Sequence, residues 1–144
     1  MKKIIIISVA TLCMIGLIFL SPKAIQKNID LNDLTEIKDN IKGYDIEFKS
    51  ERGFGNDRWD VYSFSLEEPL EYSHWEKIDK SYYSIRSYFY DNSSDDKWDM
   101  IIQNIYKLEK DTNTRYSYVD LDGTKKLYLY NPEKNKGYCV IITI

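Results

Sequence analysis

Few side chains in this sequence are equipped for nucleophilic or acid–base chemistry. His74 is the single histidine of the chain, and Cys139 is the single cysteine outside the apolar segment at residues 4–20. One histidine cannot form a histidine-rich metal centre or a Cys₂His₂ zinc site. A Ser-His-Asp triad would have to use His74, yet no GxSxG motif accompanies it. We therefore expect a surface or half-buried His74 near a helix start, and a buried structural thiol at Cys139.

Carboxylates are the remaining candidates for catalysis. One group surrounds Pro69 and another flanks residues 92–94; the members are Glu67, Glu68, Glu71, Asp91, Asp95 and Asp96. Two carboxylates about 5–9 Å apart can hydrolyse a glycosidic bond. A small envelope-modifying hydrolase that uses Glu71 and Glu76 is therefore one alternative function, although solvated loops and helix caps explain most such residues.

Two stretches resemble parts of calcium-binding loops. Residues 91–95 place oxygen ligands at alternate positions, and Asp120-Leu-Asp122-Gly123 resembles the end of an EF-hand loop. Neither contains the closing glutamate that the motif requires. The sequence also has no glycine loop of the phosphate-binding type. We expect no metal, no cofactor and no catalytic residue.

Charge and composition limit the kind of partner. The net charge is −3, and no more than two basic residues follow one another, which argues against a nucleic-acid partner. The chain is 43% hydrophobic and 15% aromatic, so it can build a core. Tyrosine and tryptophan serve both cores and contact surfaces. If they serve contacts, loop positions are favoured, and the predicted binding residues are Arg52, Phe54, Arg58, Trp59 and Trp75.

The N-terminal segment predicts a membrane location. Lys2 and Lys3 precede an uncharged run of 17 residues, Ile4–Leu20. As a helix, this run would measure roughly 25 Å, near the short limit for a span. It is longer than the apolar part of most signal peptides, and small residues are poorly placed for cleavage. We expect a single-pass anchor with the domain outside the cytoplasm, or a secreted protein if the segment is cleaved.

The rest of the chain divides into a tether and one domain. Residues 21–43 predict a tether followed by a short amphipathic helix, with Leu31, Leu34, Ile37 and Ile41 at helical spacing and Gly43 as its stop. Residues 44–144 predict an α+β domain with an antiparallel sheet of about five strands and two to three helices.

Alternating patterns place the strands. Residues 44–66 predict a hairpin whose loop contains Gly53 and Gly55. Residues 115–144 predict a three-stranded meander, with a tight turn at Asp122-Gly123. The last strand, 138–144, is apolar on both faces, which is typical of a central strand covered on both sides.

Two segments have helical spacing. Residues 95–109 carry one apolar stripe after a start signal at Ser93. Residues 79–90 fit a helix, with Ser73-x-x-Glu76 as its capping box, but they also fit a strand of period two. The helix is favoured.

The layout resembles short membrane-anchored or secreted envelope proteins of Gram-positive-type bacteria. The segments that carry this likeness are the MKK start with its apolar helix, RGFGNDRWDVYSFSL and KKLYLYNPEKNKGYCVIITI. Some membrane-anchored immunity proteins share the format. The resemblance implies location and size. Together with the residues, it predicts a non-catalytic module that binds a protein partner outside the cytoplasm; a spacer without a ligand is a further alternative.

Overall fold

A computed structural model describes residues 22–51, 57–70, 74–90 and 96–143. The chain forms two compact units, which divide between Lys38 and Asp39. The described part of the first unit contains helix α1, Pro22–Asp33, and a 3₁₀ turn follows at Lys38–Asn40. The second unit is an α+β domain built on a six-stranded antiparallel sheet, as the sequence predicts in outline.

The strands of the sheet lie in the order β1-β2-β6-β5-β4-β3. Their bounds are β1 Ile41–Lys49, β2 Arg58–Leu66, β3 Glu76–Lys77, β4 Arg115–Leu121, β5 Thr124–Asn131 and β6 Lys136–Thr143. Strand β6 pairs with β2 on one side, from Arg58↔Thr143 to Phe64↔Gly137, and with β5 on the other. The prediction that the last strand is central is confirmed.

The β4–β5 turn has the predicted form. Leu121 pairs with Thr124, so Asp122 and Gly123 alone form the loop. Their φ angles are 47° and 82°, the left-handed values that a two-residue turn of type I′ requires. The next turn, between β5 and β6, has Asn135 at φ 43°. Its Oδ1 accepts a hydrogen bond from the Leu66 amide at 2.9 Å, which ties this turn to the end of β2.

Two helices cover one face of the sheet, here called the helix face. They are α2, Lys80–Arg86, and α3, Asp96–Glu109. The apolar stripe of α3 contributes buried Trp98, Ile101, Ile105 and Leu108. The sheet contributes a second set to the same cluster, which consists of Val61, Tyr116, Leu127, Leu129, Tyr138, Val140 and Ile142. The helix predicted at residues 95–109 is thus confirmed over 96–109.

The opposite side, the tyrosine face, is also buried. Alternation along β2, β5 and β6 places there Tyr62, Phe64, Tyr128, Tyr130, Cys139 and Ile141, each at most 4% exposed. Phe64 stacks on Tyr130 with ring centroids 6.0 Å apart. Gly137 lies opposite Phe64, and its missing side chain leaves room for that ring. All three tyrosines named on this face therefore belong to the core.

Helix α2 is shorter than the pattern predicts and begins differently. The predicted capping box is wrong, because Glu76 lies in strand β3. Asp79 caps the helix instead, since its Oδ1 accepts hydrogen bonds from the Ser81 and Tyr82 amides at 2.9 and 3.1 Å. The chain then forms turns through residues 87–90. The helical interpretation is confirmed for residues 80–86 only.

The expected tether and amphipathic helix differ from the structure. Helix α1 covers Pro22–Asp33, so most of the predicted tether is helical and the predicted helix ends ten residues before Gly43. Gly43 lies inside β1 opposite Ser65 and stops no helix. Among the ranges that the structure describes, no helix is long and apolar enough to cross a bilayer. The expected anchor, residues 4–20, lies outside those ranges.

Candidate functional site

A mainly apolar groove lies where the first residues of β2 meet the end of β6. Its volume is about 360 Å³. The described residues that line it come from the β1–β2 hairpin, from the turn after α2 and from β6; they are Ser50, Glu51, Asp57, Arg58, Trp59, Tyr88, Ile142 and Thr143. The groove therefore brings together two of the predicted binding residues, Arg58 and Trp59.

Trp59 forms a fixed wall of this groove. Its amide donates a hydrogen bond to Ser50 Oγ at 2.8 Å, and its carbonyl accepts one from the Ser50 amide at 2.9 Å. The indole Nε1 donates to the Phe89 carbonyl at 3.1 Å, and the ring packs edge-on against Trp98 at 5.5 Å. Both ends of the side chain are thus held. The indole presents its remaining half-buried surface without having to reorganise when a ligand arrives.

Arg58 is held by a buried partner. Its Nε donates to Asp60 Oδ2 at 2.7 Å, and the side chains are 17% and 0% exposed, respectively. A charge-assisted pair of this kind neutralises both members locally. Asp60 therefore balances most of the charge that Arg58 brings to the groove lining.

The rim of the groove is acidic and aromatic. Glu51 and Asp57 are exposed, and neither forms an ion pair with another residue in the described ranges. Tyr88 is 67% exposed, and the Lys125 ammonium lies 5.7 Å from its ring centroid. Lys125 in turn pairs with Asp120 at 3.4 Å. Since Arg58 is balanced by Asp60, the described part of the lining has a net negative charge.

Three of the predicted binding residues remain. Arg52 and Phe54 belong to residues 52–56, outside the described ranges. Trp75 is 9% exposed and packs edge-on against Tyr128 and Tyr130 on the tyrosine face, at 6.0 and 6.4 Å, so it does not line the groove. Sequence reasoning missed Tyr88, because its exposure depends on where α2 ends.

A polar centre, separate from the groove, joins helices α2 and α3. Glu109, whose side chain is 5% exposed, accepts hydrogen bonds from the Tyr82 hydroxyl and from Arg86 Nη1, the latter at 2.8 Å. The Arg86 guanidinium also lies over the Tyr83, Tyr90 and Tyr106 rings at 5.0–5.7 Å. This arrangement compensates a buried carboxylate with an arginine and a phenol.

The phenols of this centre stay protonated. Burial, followed by the neighbouring Tyr90 hydroxyl and the Glu109 carboxylate, raises the pKa of Tyr82 far above its usual value. Burial and Glu109 likewise raise the pKa of Tyr90. Both groups are hydrogen-bond donors at any physiological pH, so their arrangement serves the contact between the two helices.

A separate cavity of about 370 Å³ is lined in part by His74 and by Glu76, the described member of the alternative hydrolytic pair Glu71 and Glu76. Glu76 Oε2 accepts a hydrogen bond from the Tyr116 hydroxyl at 2.8 Å. Burial, and then this hydrogen bond, raises the pKa of Tyr116. His74 is exposed, and Glu71 lies outside the described ranges. Cys139 is fully buried in the middle of β6, as predicted.

Comparisons with known proteins add no assignment: no family model, no curated protein and no solved structure matches this chain. Within the described ranges, no cluster of three or more His, Cys, Asp or Glu side chains is arranged to hold a metal ion.

Proposed function

We propose that this protein is a membrane-anchored, extracytoplasmic binding module of the immunity or envelope-accessory type, and that its groove beside Trp59 receives a side chain of a protein partner. The observation that carries the proposal is the fixed, half-buried indole in an apolar groove with exposed aromatic and acidic residues at its rim. Tryptophan, tyrosine and arginine at the centre of such grooves dominate the energy of many protein interfaces.

The location rests on the sequence. The uncharged run Ile4–Leu20 follows Lys2 and Lys3, and at roughly 25 Å it is near the length of a bilayer span. A short N-terminal segment of this kind places the following domain outside the cytoplasm. Fractionation of cells, followed by protease treatment of intact cells or spheroplasts, tests this part: recovery of the full chain in the cytosolic fraction would contradict it.

The size of the groove and the fixed position of Trp59 favour a protein side chain as the occupant. A volume of about 360 Å³ is at the low end of the range for ligand pockets, and it suits one large side chain better than a cofactor. Trp59 is held at both ends by hydrogen bonds, so binding orders few groups of the protein. The exposed ring of Tyr88 adds contact area at low entropic cost.

Site-specific photo-crosslinking in the organism that makes the protein tests the use of this groove. The photoreactive amino acid benzoylphenylalanine replaces Tyr88, at the groove, or Tyr83, a control on the same helix–turn segment that is 51% exposed. We expect a discrete protein adduct from position 88 and none from position 83. Equal labelling from both positions, or none from either, would contradict a partner at the groove.

Affinity for the cross-linked partner then separates binding from folding. Tyr88→Ala and Tyr83→Ala each remove an exposed ring that lies beside one cation, Lys125 or Arg86, so each should lower the stability by no more than about 1 kcal/mol. Truncation of an interface tyrosine costs about 2 kcal/mol, so Tyr88→Ala should weaken binding about 30-fold, and Tyr83→Ala should leave it unchanged. Calorimetry with the full chain in detergent provides the measurement.

A further inference from the structure

We infer that the side chain received by the groove is cationic: an arginine or lysine from a basic segment of the protein partner. This inference rests on the proposed function and specifies the chemistry of the partner. Its basis is the charge that the described lining leaves uncompensated, combined with the aromatic surfaces beside it.

The described lining has a net negative charge, which favours a cationic occupant. Arg58 is paired with Asp60, whose side chain is 0% exposed, so the charges of these two residues cancel. Glu51 and Asp57 remain at the rim, exposed and without an ion pair to any other described residue. An anionic group entering the groove would meet both carboxylates, whereas a cation would be attracted by them.

The apolar part of the groove suits the same occupant. Arginine and lysine carry long alkyl segments that pack on apolar surface while the charged end stays near water. A guanidinium also stacks on indole and phenol rings, with the carboxylates within reach of its N–H groups. Trp59 and Tyr88 offer those rings at the wall and at the rim.

Described residues of this chain use the same chemistry among themselves. The Lys125 ammonium lies over the Tyr88 ring at 5.7 Å, so this ring already attracts a cation. Arg86 lies over three tyrosine rings while it pairs with the Glu109 carboxylate. The groove offers an incoming arginine the same combination of aromatic face and carboxylate.

Selection from a random short-peptide library displayed on phage tests the inference with the full chain in detergent. Peptides that bind the wild type but not Tyr88→Ala are kept, because they require the groove. We expect each to contain an arginine or lysine beside an apolar residue. A selected peptide is then synthesised with arginine or with citrulline, which preserves the shape of the side chain and removes its charge.

Charge-neutral variants of the protein complete the test. Glu51→Gln/Asp57→Asn removes the rim charges, while Glu67→Gln/Glu68→Gln changes the net charge equally at two exposed residues outside the groove lining. We expect the first pair of substitutions to weaken binding of the arginine peptide about 3- to 30-fold and the second pair to have little effect on it. Replacing the arginine of the peptide by citrulline should weaken its binding to the wild type by a similar factor. The same replacement should have a smaller effect on binding to the Glu51→Gln/Asp57→Asn variant.

The outcomes separate the two proposals. The inference of a cationic occupant is overturned if the groove-dependent peptides lack a basic residue, or if they bind both charge variants with equal affinity. Either result would leave the proposal of a binding groove unaffected. If no peptide distinguishes the wild type from Tyr88→Ala, the groove itself is not a peptide-binding site, and both proposals fail.

Discussion

Replacement of Glu109 by glutamine tests the energetic role of the polar centre between α2 and α3. Glutamine keeps the shape of the side chain and an acceptor for the Tyr82 hydroxyl, but it removes the charge opposite Arg86. Breaking a buried ion pair costs about 3–5 kcal/mol. Arg86 is 29% exposed, so part of its charge can be hydrated, and Gln keeps one hydrogen bond. We expect Glu109→Gln to lower the free energy of unfolding by about 2–3 kcal/mol.

Urea unfolding of the full chain in a non-denaturing detergent, followed by circular dichroism, measures this loss. Glu67→Gln removes an exposed carboxylate and should change stability by less than about 0.5 kcal/mol. Arg86→Met completes a double-mutant cycle, in which the double variant should lose less than the sum of the single variants. A loss below about 0.5 kcal/mol for Glu109→Gln, or strict additivity in the cycle, would show that the pair does not stabilise the contact between the helices.

Three further predictions concern other parts of the domain. The pKa of Tyr82 is raised in the folded state, so above about pH 10 the unfolded chain releases a proton that the folded chain keeps. The free energy of unfolding should therefore fall by about 1.4 kcal/mol per pH unit from this phenol. Tyr82→Phe should reduce the slope of the urea midpoint against pH. Gly137→Ala should lower the free energy of unfolding by about 1–3 kcal/mol in the same urea assay. The added Cβ would overlap the Phe64 ring and approach the Leu129 carbonyl oxygen to 2.6 Å. Adding Phe64→Leu to Gly137→Ala should restore part of the loss. Gly123→Ala should cost about 1–2 kcal/mol in thermal unfolding, because φ is 82° there, whereas alanine at Lys125 beside the turn should cost less.

Much of the sheet follows from the sequence because local signals determine it. Alternation predicts five of the strands to within a few residues, and Asp122-Gly123 fixes the register of β4 and β5. The apolar character of β6 on both faces predicts its central place. The α3 stripe is regular enough to predict that helix to within one residue of the observed bounds.

The errors occur where tertiary contacts decide between local alternatives. Ile41 and Gly43 fit the end of a helix, but pairing with Leu66 and Ser65 places them in β1. Glu76 fits a capping box, but its pairing with Tyr116 makes it part of a strand. Such pairings join residues far apart in the chain, and no local pattern encodes them.

The groove was only partly predictable for the same reason. Arg58 and Trp59 are adjacent in sequence and suited to contacts, so composition identifies them. Tyr88 and Ile142 reach the groove from the turn after α2 and from β6. Trp75 looked equally suitable, and only the packing against Tyr128 and Tyr130 shows that its ring belongs to the core.

The position of β6 has a consequence for how the domain is made. Strands β1 and β2 form one hairpin, β3, β4 and β5 form a separate group, and β6 alone joins the two. Because β6 follows the other five strands in the chain, neither half can complete its core until β6 has been synthesised. Folding that depends on such non-local pairing is slow. The sheet can therefore close only when nearly the whole chain has left the ribosome, so the domain is completed after synthesis rather than during it.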